Sequence, residues 1–337
     1  MKKQFSYYDY SPVLSHNAVY NFIVGGRGLG KTYGAKKHVI NRFLKYGEQF
    51  IYLRRFSKEM SVKGTFFADI AEQFKGCGFR INGSEAQICR NPNDEKPDWQ
   101  VAGYFHVLSR AQGMKSASYP KVTTIIFDEF ILEKGFSRYL PDEATAFNNF
   151  YSTIDRWQDR TKVLFLANSV SIMNPYFTTY DIEPNREWVK KHSGFMIAHF
   201  PDSTQFASEV SKTRFGSFIS GTDYEEYAVN NDFRDNANYL IGKKTETARY
   251  HFTMETTNGD FTVWVDLKNH PYTYYVQAKK PLIENVWVMD KELMSEDKLL
   301  IEYSDKHIQL LRTAYGRGNV LFESARLRNT FLRVFKR

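Results

Sequence analysis

A mostly parallel α/β sheet is what this sequence predicts, on three observations. Residues 20–24 form an apolar run leading directly into Gly25-Gly26-Arg27-Gly28-Leu29-Gly30-Lys31-Thr32, which fits G-x-x-x-x-G-K-[ST] at every required position. Residues 121–130 are β-branched and apolar and run into Asp128-Glu129. Strand-like and helix-like stretches alternate through about residue 200, the pattern of a parallel sheet covered on both faces. Together they specify the P-loop nucleoside triphosphatase class.

Taken in order, residues 20–24 read as a buried strand and 33–46 as the helix after the loop. Residues 48–55 read as a second strand and 59–74 as a mixed helix. Residues 79–90 and 99–109 read as further strands of a hairpin-like insertion, punctuated by Pro92, Asn93, Pro97 and Asp98. After the acidic strand, 141–157 reads as a helix, with Pro141 in its first turn and Asp142 and Glu143 at its positive end. Residues 162–168 read as another buried strand. Beyond Pro201 the character changes: 201–235 is polar, a linker or lid subdomain. Three aromatic, β-branched runs at 248–254, 261–266 and 272–276 then predict an antiparallel meander, with helices from about residue 291. The expected domains are 1–200, 201–235 and 236–337.

The loop glycines let successive N–H groups turn inward around phosphates at a helix N-terminus. Gly25, Gly26, Arg27, Gly28, Leu29 and Gly30 form that cradle, Lys31 reaches the β- and γ-phosphates, and the Thr32 hydroxyl ligates Mg²⁺. Asp128, at a strand's carboxyl edge, holds Mg²⁺ through water, and Glu129 polarises the attacking water. The adjacent acids favour the ATPase branch over small GTPases and nucleotide kinases. Asn168 fits either a γ-phosphate sensor or a turn cap. Arg27 fits a γ-phosphate contact or a contact to an adjacent subunit. Arg156 and Lys115, read from spacing alone, fit a solvated face or loop as well as any catalytic role.

At 337 residues and 42% apolar content the chain is long enough for two domains with real cores. Its net charge of +8 suits an anionic partner. Two cysteines, Cys77 and Cys89, are too few for a metal cluster or a disulfide framework, which points to a reducing cytoplasm. No signal peptide or membrane span is read, and none is expected.

Several blocks lie outside generic ATPase motifs: Tyr46-Gly47-Glu48-Gln49-Phe50-Ile51-Tyr52, Arg54-Arg55, Asn174-Pro175-Tyr176-Phe177 and Lys212-Thr213-Arg214-Phe215-Gly216. With the loop and Ile126-Phe127-Asp128-Glu129-Phe130, their order over residues 15–230 resembles the encapsidation proteins of small, protein-primed tailed bacteriophages. The resemblance implies an ATP- and Mg²⁺-dependent motor that drives double-stranded DNA into a preformed capsid. It implies a homomeric ring of five subunits docked on the portal, in the host cytoplasm, with a structural packaging RNA as a partner in some relatives. It makes Arg156 an arginine finger and Lys115 a second group acting across the subunit interface. The alternative is a DNA-stimulated ATPase or helicase that does not package.

For the C-terminal domain the resemblance implies an α+β, ribonuclease H-like nuclease fold that has lost its metal-binding acids. Asp266 has no convincing partners among Glu284, Asp290, Glu296 and Asp297, and two-metal cleavage needs several converging acids. Residues 301–337 carry eight Lys and Arg against three Asp and Glu, and Leu327, Phe331, Val334 and Phe335 fall at helical spacing. An amphipathic helix packed by its apolar face, with a basic outer face for nucleic acid or portal, is expected. For DNA grip by the first domain, Lys58 and Lys63, after Arg54 and Arg55, fit a channel-facing loop or a solvated basic turn.

Overall fold

Glycine ends the first strand and restarts the chain as a helix, and that junction organises the first unit. The computed structural model describes residues 7–114, 118–132, 139–170, 174–184, 186–220, 222, 241–257, 259–268, 272–278, 280–281 and 285–335. Lys115, Glu284, Lys336 and Arg337 lie outside the described residues, as does most of 221–240. The chain divides into two compact units, residues 1–234 and 235–337.

The first unit begins with a short helix α1 (Ser11–Ser15), β1 (Tyr20–Gly25) and α2 (Lys31–Tyr46), followed by β2 (Gln49–Arg54). An antiparallel hairpin, β3 (Gly78–Asn82) and β4 (Glu85–Cys89), precedes β5 (Gln100–Val107). Then come β6 (Val122–Asp128), α3 (Glu143–Asp155), β7 (Lys162–Asn168), α4 (Pro175–Tyr180), β8 (Trp188–Lys191), β9 (Met196–His199), α5 (Thr204–Ser211) and α6 (Arg214–Ile219). The sheet runs β3-β4-β5-β2-β6-β7-β1-β9-β8, and the six strands from β5 to β9 in that order are parallel.

Strand alternation splits the core into two layers. Phe22 and Val24 of β1, Phe127 of β6 and Phe165 of β7 face α3 and α4, where Phe147, Phe150 and Tyr176 meet them. The rings of Phe22 and Phe165 stack at 4.1 Å between centroids. Ile23, Ile126, Leu164 and Leu166 face the other way, onto Val39 and Ile40 of α2. Ala207 and Val210 of α5 and Ile219 of α6 pack on the first layer, so the described part of the polar segment after Pro201 joins this core.

Several expected elements change. Residues 59–74 are not an α-helix: the chain makes 3-10 turns at Ser57–Thr65 and Ala71–Gln73. Ser61, Gly64 and Thr65 weaken the helix, while Phe66 and Phe67 are both drawn into the core. The run 79–90 folds back at Gly83, whose φ of +58° makes the turn between β3 and β4. Pro141 lies outside α3, because Asp142 precedes the helix in the left-handed region with φ +46°. Strands β8 and β9 extend the sheet beyond β1.

The second unit holds the expected meander, β10 (Arg249–Glu255), β11 (Phe261–Asp266) and β12 (Thr273–Gln277), all antiparallel. Three further strands follow, one just before the stretch expected to be helical and two within it. β13 (Val286–Val288) pairs parallel with β10, β14 (Lys298–Leu300) with β13, and β15 (Val320–Phe322) with β12. Helices α7 (Lys306–Gly316) and α8 (Ala325–Phe335) complete the α+β arrangement. Leu327, Phe331 and Phe335 are buried and Val334 half-buried, as the helical spacing predicted. Arg328 corrects the basic outer face: it is buried, with Nη2 3.3 Å from the Tyr315 hydroxyl. The Asp266 carboxylate is taken up by the hydroxyls of Thr245 and Thr247, each at 2.7 Å, and by the Lys268 N–H.

The turn after α3 rests on one side chain. Asp155, buried, accepts the N–H groups of Gln158, Asp159, Arg160 and Thr161 at 2.9–3.0 Å. Burial pushes its carboxyl up, but those donors outweigh it and hold it below the ordinary 3.8. Asp155→Ala is expected to cost about 2–3 kcal/mol in denaturant unfolding, since several buried donors lose a charged acceptor. Because the folded-state value is depressed, the native carboxylate's contribution is full above pH 3.8 and disappears as the pH falls further. The acid-unfolding difference between the two proteins should therefore close below that value.

Candidate active site

Parallel register brings the two motifs together. β6 lies beside β7 and β7 beside β1, with Gly25 opposite Asn168 and Asp128 opposite Leu166. The carboxyl ends of these strands therefore meet at the α2 N-terminus, where ligands bind in open α/β sheets. A cavity of about 670 Å³ opens there, lined by Arg27, Gly28, Gly30, Lys31, Thr32, Asp128, Glu129 and Asn168, with Tyr7, Tyr33 and Asp69 on its outer side. Its size suits a nucleotide.

Gly28 and Gly30 hold φ of +82° and +83°, a backbone that a side chain would strain. At Gly30 a Cβ would also stand 2.9 Å from the Tyr7 ring. That ring belongs to an N-terminal strap: the Tyr8 N–H donates to the Leu29 carbonyl and the Tyr10 hydroxyl to the Lys31 carbonyl, at 2.8 and 2.5 Å. Leu29 is buried and does not line the cavity. Gly25 and Gly26 present their carbonyls to the Lys31 ammonium at 2.9 and 2.7 Å, and Asn168 Oδ1 accepts from it at 3.2 Å. Burial pulls the Lys31 pKa down to about 8, against the opposing pull of Asp128.

The acids occupy distinct settings. Asp128 is buried, accepting from Thr32 Oγ1 at 3.1 Å and from the Tyr52 hydroxyl at 2.7 Å. Burial and then Asp128 push the Tyr52 phenol well up, so it remains a donor. Hydroxyl and carboxylate oxygens at this separation form a hard donor set that fits Mg²⁺. Glu129 is 60% exposed at its side chain and aimed into the cavity. Its φ of +56° is costly for a residue with a Cβ and turns the chain sharply as β6 ends.

Arg54, which ends β2, and Arg55 after it both turn to acids of their own chain. Arg54 reaches back to pair with the Glu129 carboxylate through Nη2 and lies 3.6 Å from Asp128 through Nη1. Arg55 is fully buried against Glu143. Neither pairing could be read locally, since both depend on β2 lying beside β6. Tyr52, Arg54 and Tyr7 are thus site residues that the motifs did not flag. Lys58 is exposed, and the Lys63 ammonium donates to the Gly83 carbonyl at 2.5 Å. Arg156 is the exposed C-cap of α3, with φ +53°, and does not line its own chain's cavity. Lys115 lies outside the described residues. No group of three or more metal-binding side chains occurs among the described residues, and none of their helices is long and apolar enough to cross a membrane.

This geometry has close parallels. The chain is 34% identical over 333 residues to the DNA packaging protein of Bacillus phage phi29, covering 98% of this chain and 97% of the relative. It is 35% identical over 330 residues to that of Bacillus phage B103, covering 96% and 99%. Among solved structures it matches the bacteriophage phi29 viral genome packaging motor assembly with a TM-score of 0.77 and 33% identity, across 98% of this chain and 99% of the other. It also matches the N-terminal domain of the phi29 DNA packaging ATPase at 0.53 and 37%, over 59% and 98%. The family model for the podovirus DNA encapsidation protein (Gp16) matches residues 1–337, and the chain belongs to that family.

Proposed function

We propose that the chain hydrolyses ATP to drive double-stranded DNA into a procapsid, as a subunit of a homomeric ring of five. The observation that carries this reading is the meeting of Lys31, Thr32, Asp128 and Glu129 around one cavity at the α2 N-terminus. Kinship with DNA packaging proteins over nearly the whole chain supports DNA as the cargo, and docking on the portal is part of the same reading.

The loop N–H groups and Lys31 bind the β- and γ-phosphates, the ammonium exchanging the Gly25 and Gly26 carbonyls for phosphate oxygens. Thr32 and Asp128 hold Mg²⁺, which supplies charge neutralisation on the phosphate oxygens when bound. Glu129 orients the water in line with the γ-phosphoryl, and Arg54 sets where that carboxylate points. Asn168 senses the γ-phosphate through its link to Lys31. Arg156, exposed and away from its own cavity, reaches the neighbouring subunit's nucleotide, with Lys115 as a second interfacial cation. Lys58 and Lys63 contact the DNA backbone, a sequence-blind grip suited to any genome. A structural RNA on the procapsid is a further partner of the ring.

Mixing Glu129→Gln with Arg156→Ala tests the shared site. Each alone should lose about 10²-fold or more of DNA-stimulated hydrolysis. Their mixture should recover part of it, because some interfaces pair an intact base with an intact finger. No recovery from folded, associating variants puts Arg156 outside trans catalysis.

Triphosphate affinity should also fall as the pH rises through about 8, where the free Lys31 ammonium loses its proton. Equilibrium binding of a non-hydrolysable analogue between pH 7 and 9.5 measures this. Lys31→Met should bind weakly and without that pH dependence.

A further inference from the structure

We infer that Arg55, with Glu143, is a positioning residue for the general base: a buried clamp that holds Glu129 in its left-handed backbone conformation. This rests on the hydrolytic role proposed for Glu129. Both side chains of the pair are completely buried. Arg55 Nε and Nη2 grip the two Glu143 oxygens at 2.7 and 2.8 Å. The same guanidinium donates to two consecutive backbone carbonyls, from Nη1 to that of Glu129 at 3.3 Å and from Nη2 to that of Phe130 at 2.6 Å.

The clamp is closed on its acidic side as well. Glu143 accepts the Tyr176 hydroxyl at 2.9 Å and the Leu140 N–H at 2.8 Å, so with the two Arg55 bonds its carboxylate lone pairs are all engaged. Glu143 therefore has a fixed orientation, and it fixes Arg55. A buried ion pair is a poor way to gain stability, since desolvating both charges offsets most of their attraction. What this one does that packed apolar side chains could not is present a rigid fork of donors to two consecutive carbonyls. Those carbonyls follow directly on the Glu129 φ of +56°, where the chain leaves β6. The Phe130 N–H, in the same peptide as the Glu129 carbonyl, is tied to the Leu166 carbonyl at 3.2 Å, so that peptide is held at both its acceptor and its donor.

A strained φ persists only where surroundings over-determine it. Releasing the two carbonyls lets Glu129 relax toward negative φ, which swings its carboxylate away from the γ-phosphate position. The phosphate contacts do not pass through this turn, because Lys31, Thr32 and the loop glycines lie in β1, α2 and the loop between them. Loss of the clamp should therefore lower kcat and leave affinity alone.

The test is Arg55→Lys, which keeps a charge beside Glu143 but cannot serve the carboxylate and both carbonyls together. DNA-stimulated kcat should fall about 10- to 100-fold, as for a misplaced reacting group. The dissociation constant for a non-hydrolysable triphosphate should stay within about twofold of the parent's, the factor separating a positioning effect from a binding one. In the Glu129→Gln background, Arg55→Lys should change the residual rate little, because it acts through a carboxylate already removed. A parent-like kcat for Arg55→Lys, or an equal loss in both backgrounds, overturns the inference. If Arg55→Lys does not fold, Tyr176→Phe replaces it: reduced kcat at unchanged affinity supports the clamp, and full kcat overturns it. The parent protein is assayed alongside. A parent without hydrolysis overturns the ATPase reading and the clamp together, whereas an active parent matched by the variant overturns the clamp alone.

Discussion

One buried carboxylate, Asp128, sets the terms for everything around the cavity. A lone ionised acid at the end of a core strand is untenable, so its neighbours must supply donors and positive charge. Thr32 and Tyr52 donate to it, Arg54 stands 3.6 Å off, and Lys31 is close enough to feel its field. These groups come from α2 and β2, while Asp128 itself ends β6. The need to satisfy one carboxylate thus ties together elements far apart in the chain. It also keeps the site in a low-dielectric setting, where each of those charges acts more strongly than it would in water.

What could be read from the sequence divides by distance along the chain. The phosphate loop and the acidic strand are local patterns, and both appear where their residues predicted, down to the Asn168 end of β7. Strong apolar runs such as 162–168 declared themselves because burial on both faces leaves no polar period. The Arg54–Glu129 and Arg55–Glu143 pairs did not, because two adjacent arginines look like a basic turn until β2 is known to lie beside β6. The turn at Asn82-Gly83 was legible in principle, as a hairpin signal inside an otherwise continuous run. The short strands β13, β14 and β15 carry three residues each, too few for any periodicity to show. At residues 59–74, scattered apolar residues suggested a helix, but adjacent Phe66 and Phe67 were both needed by the core, and tertiary packing overrode the spacing.

The adjacent arginines also show how the same residue type is used in two dielectric regimes. Arg54 touches acids that face the cavity, so its partners can change with what occupies that space. Arg55 has no such freedom, because its own side chain and the Glu143 carboxylate it grips are both completely buried. Alternation where β2 ends separates them, sending one toward chemistry and the other into the scaffold. An Arg-to-Lys exchange would be tolerated differently at each, since only a planar fork can serve several acceptors at once.

The borders of the nine-stranded sheet carry a quieter consequence. Among the described residues β3 and β8 are its two rims, and a rim is an open row of backbone donors and acceptors that invites another strand. β8 answers with Lys190 and Lys191, the latter paired to Asp181 at 2.8 Å. β3 answers with Arg80, whose guanidinium lies over the Trp99 ring. Ammonium and guanidinium groups along these rims discourage one chain from templating the next. Copies of this protein crowded together are left to meet through side-chain surfaces, which can slide and re-form, instead of through a shared backbone ladder, which would fuse them.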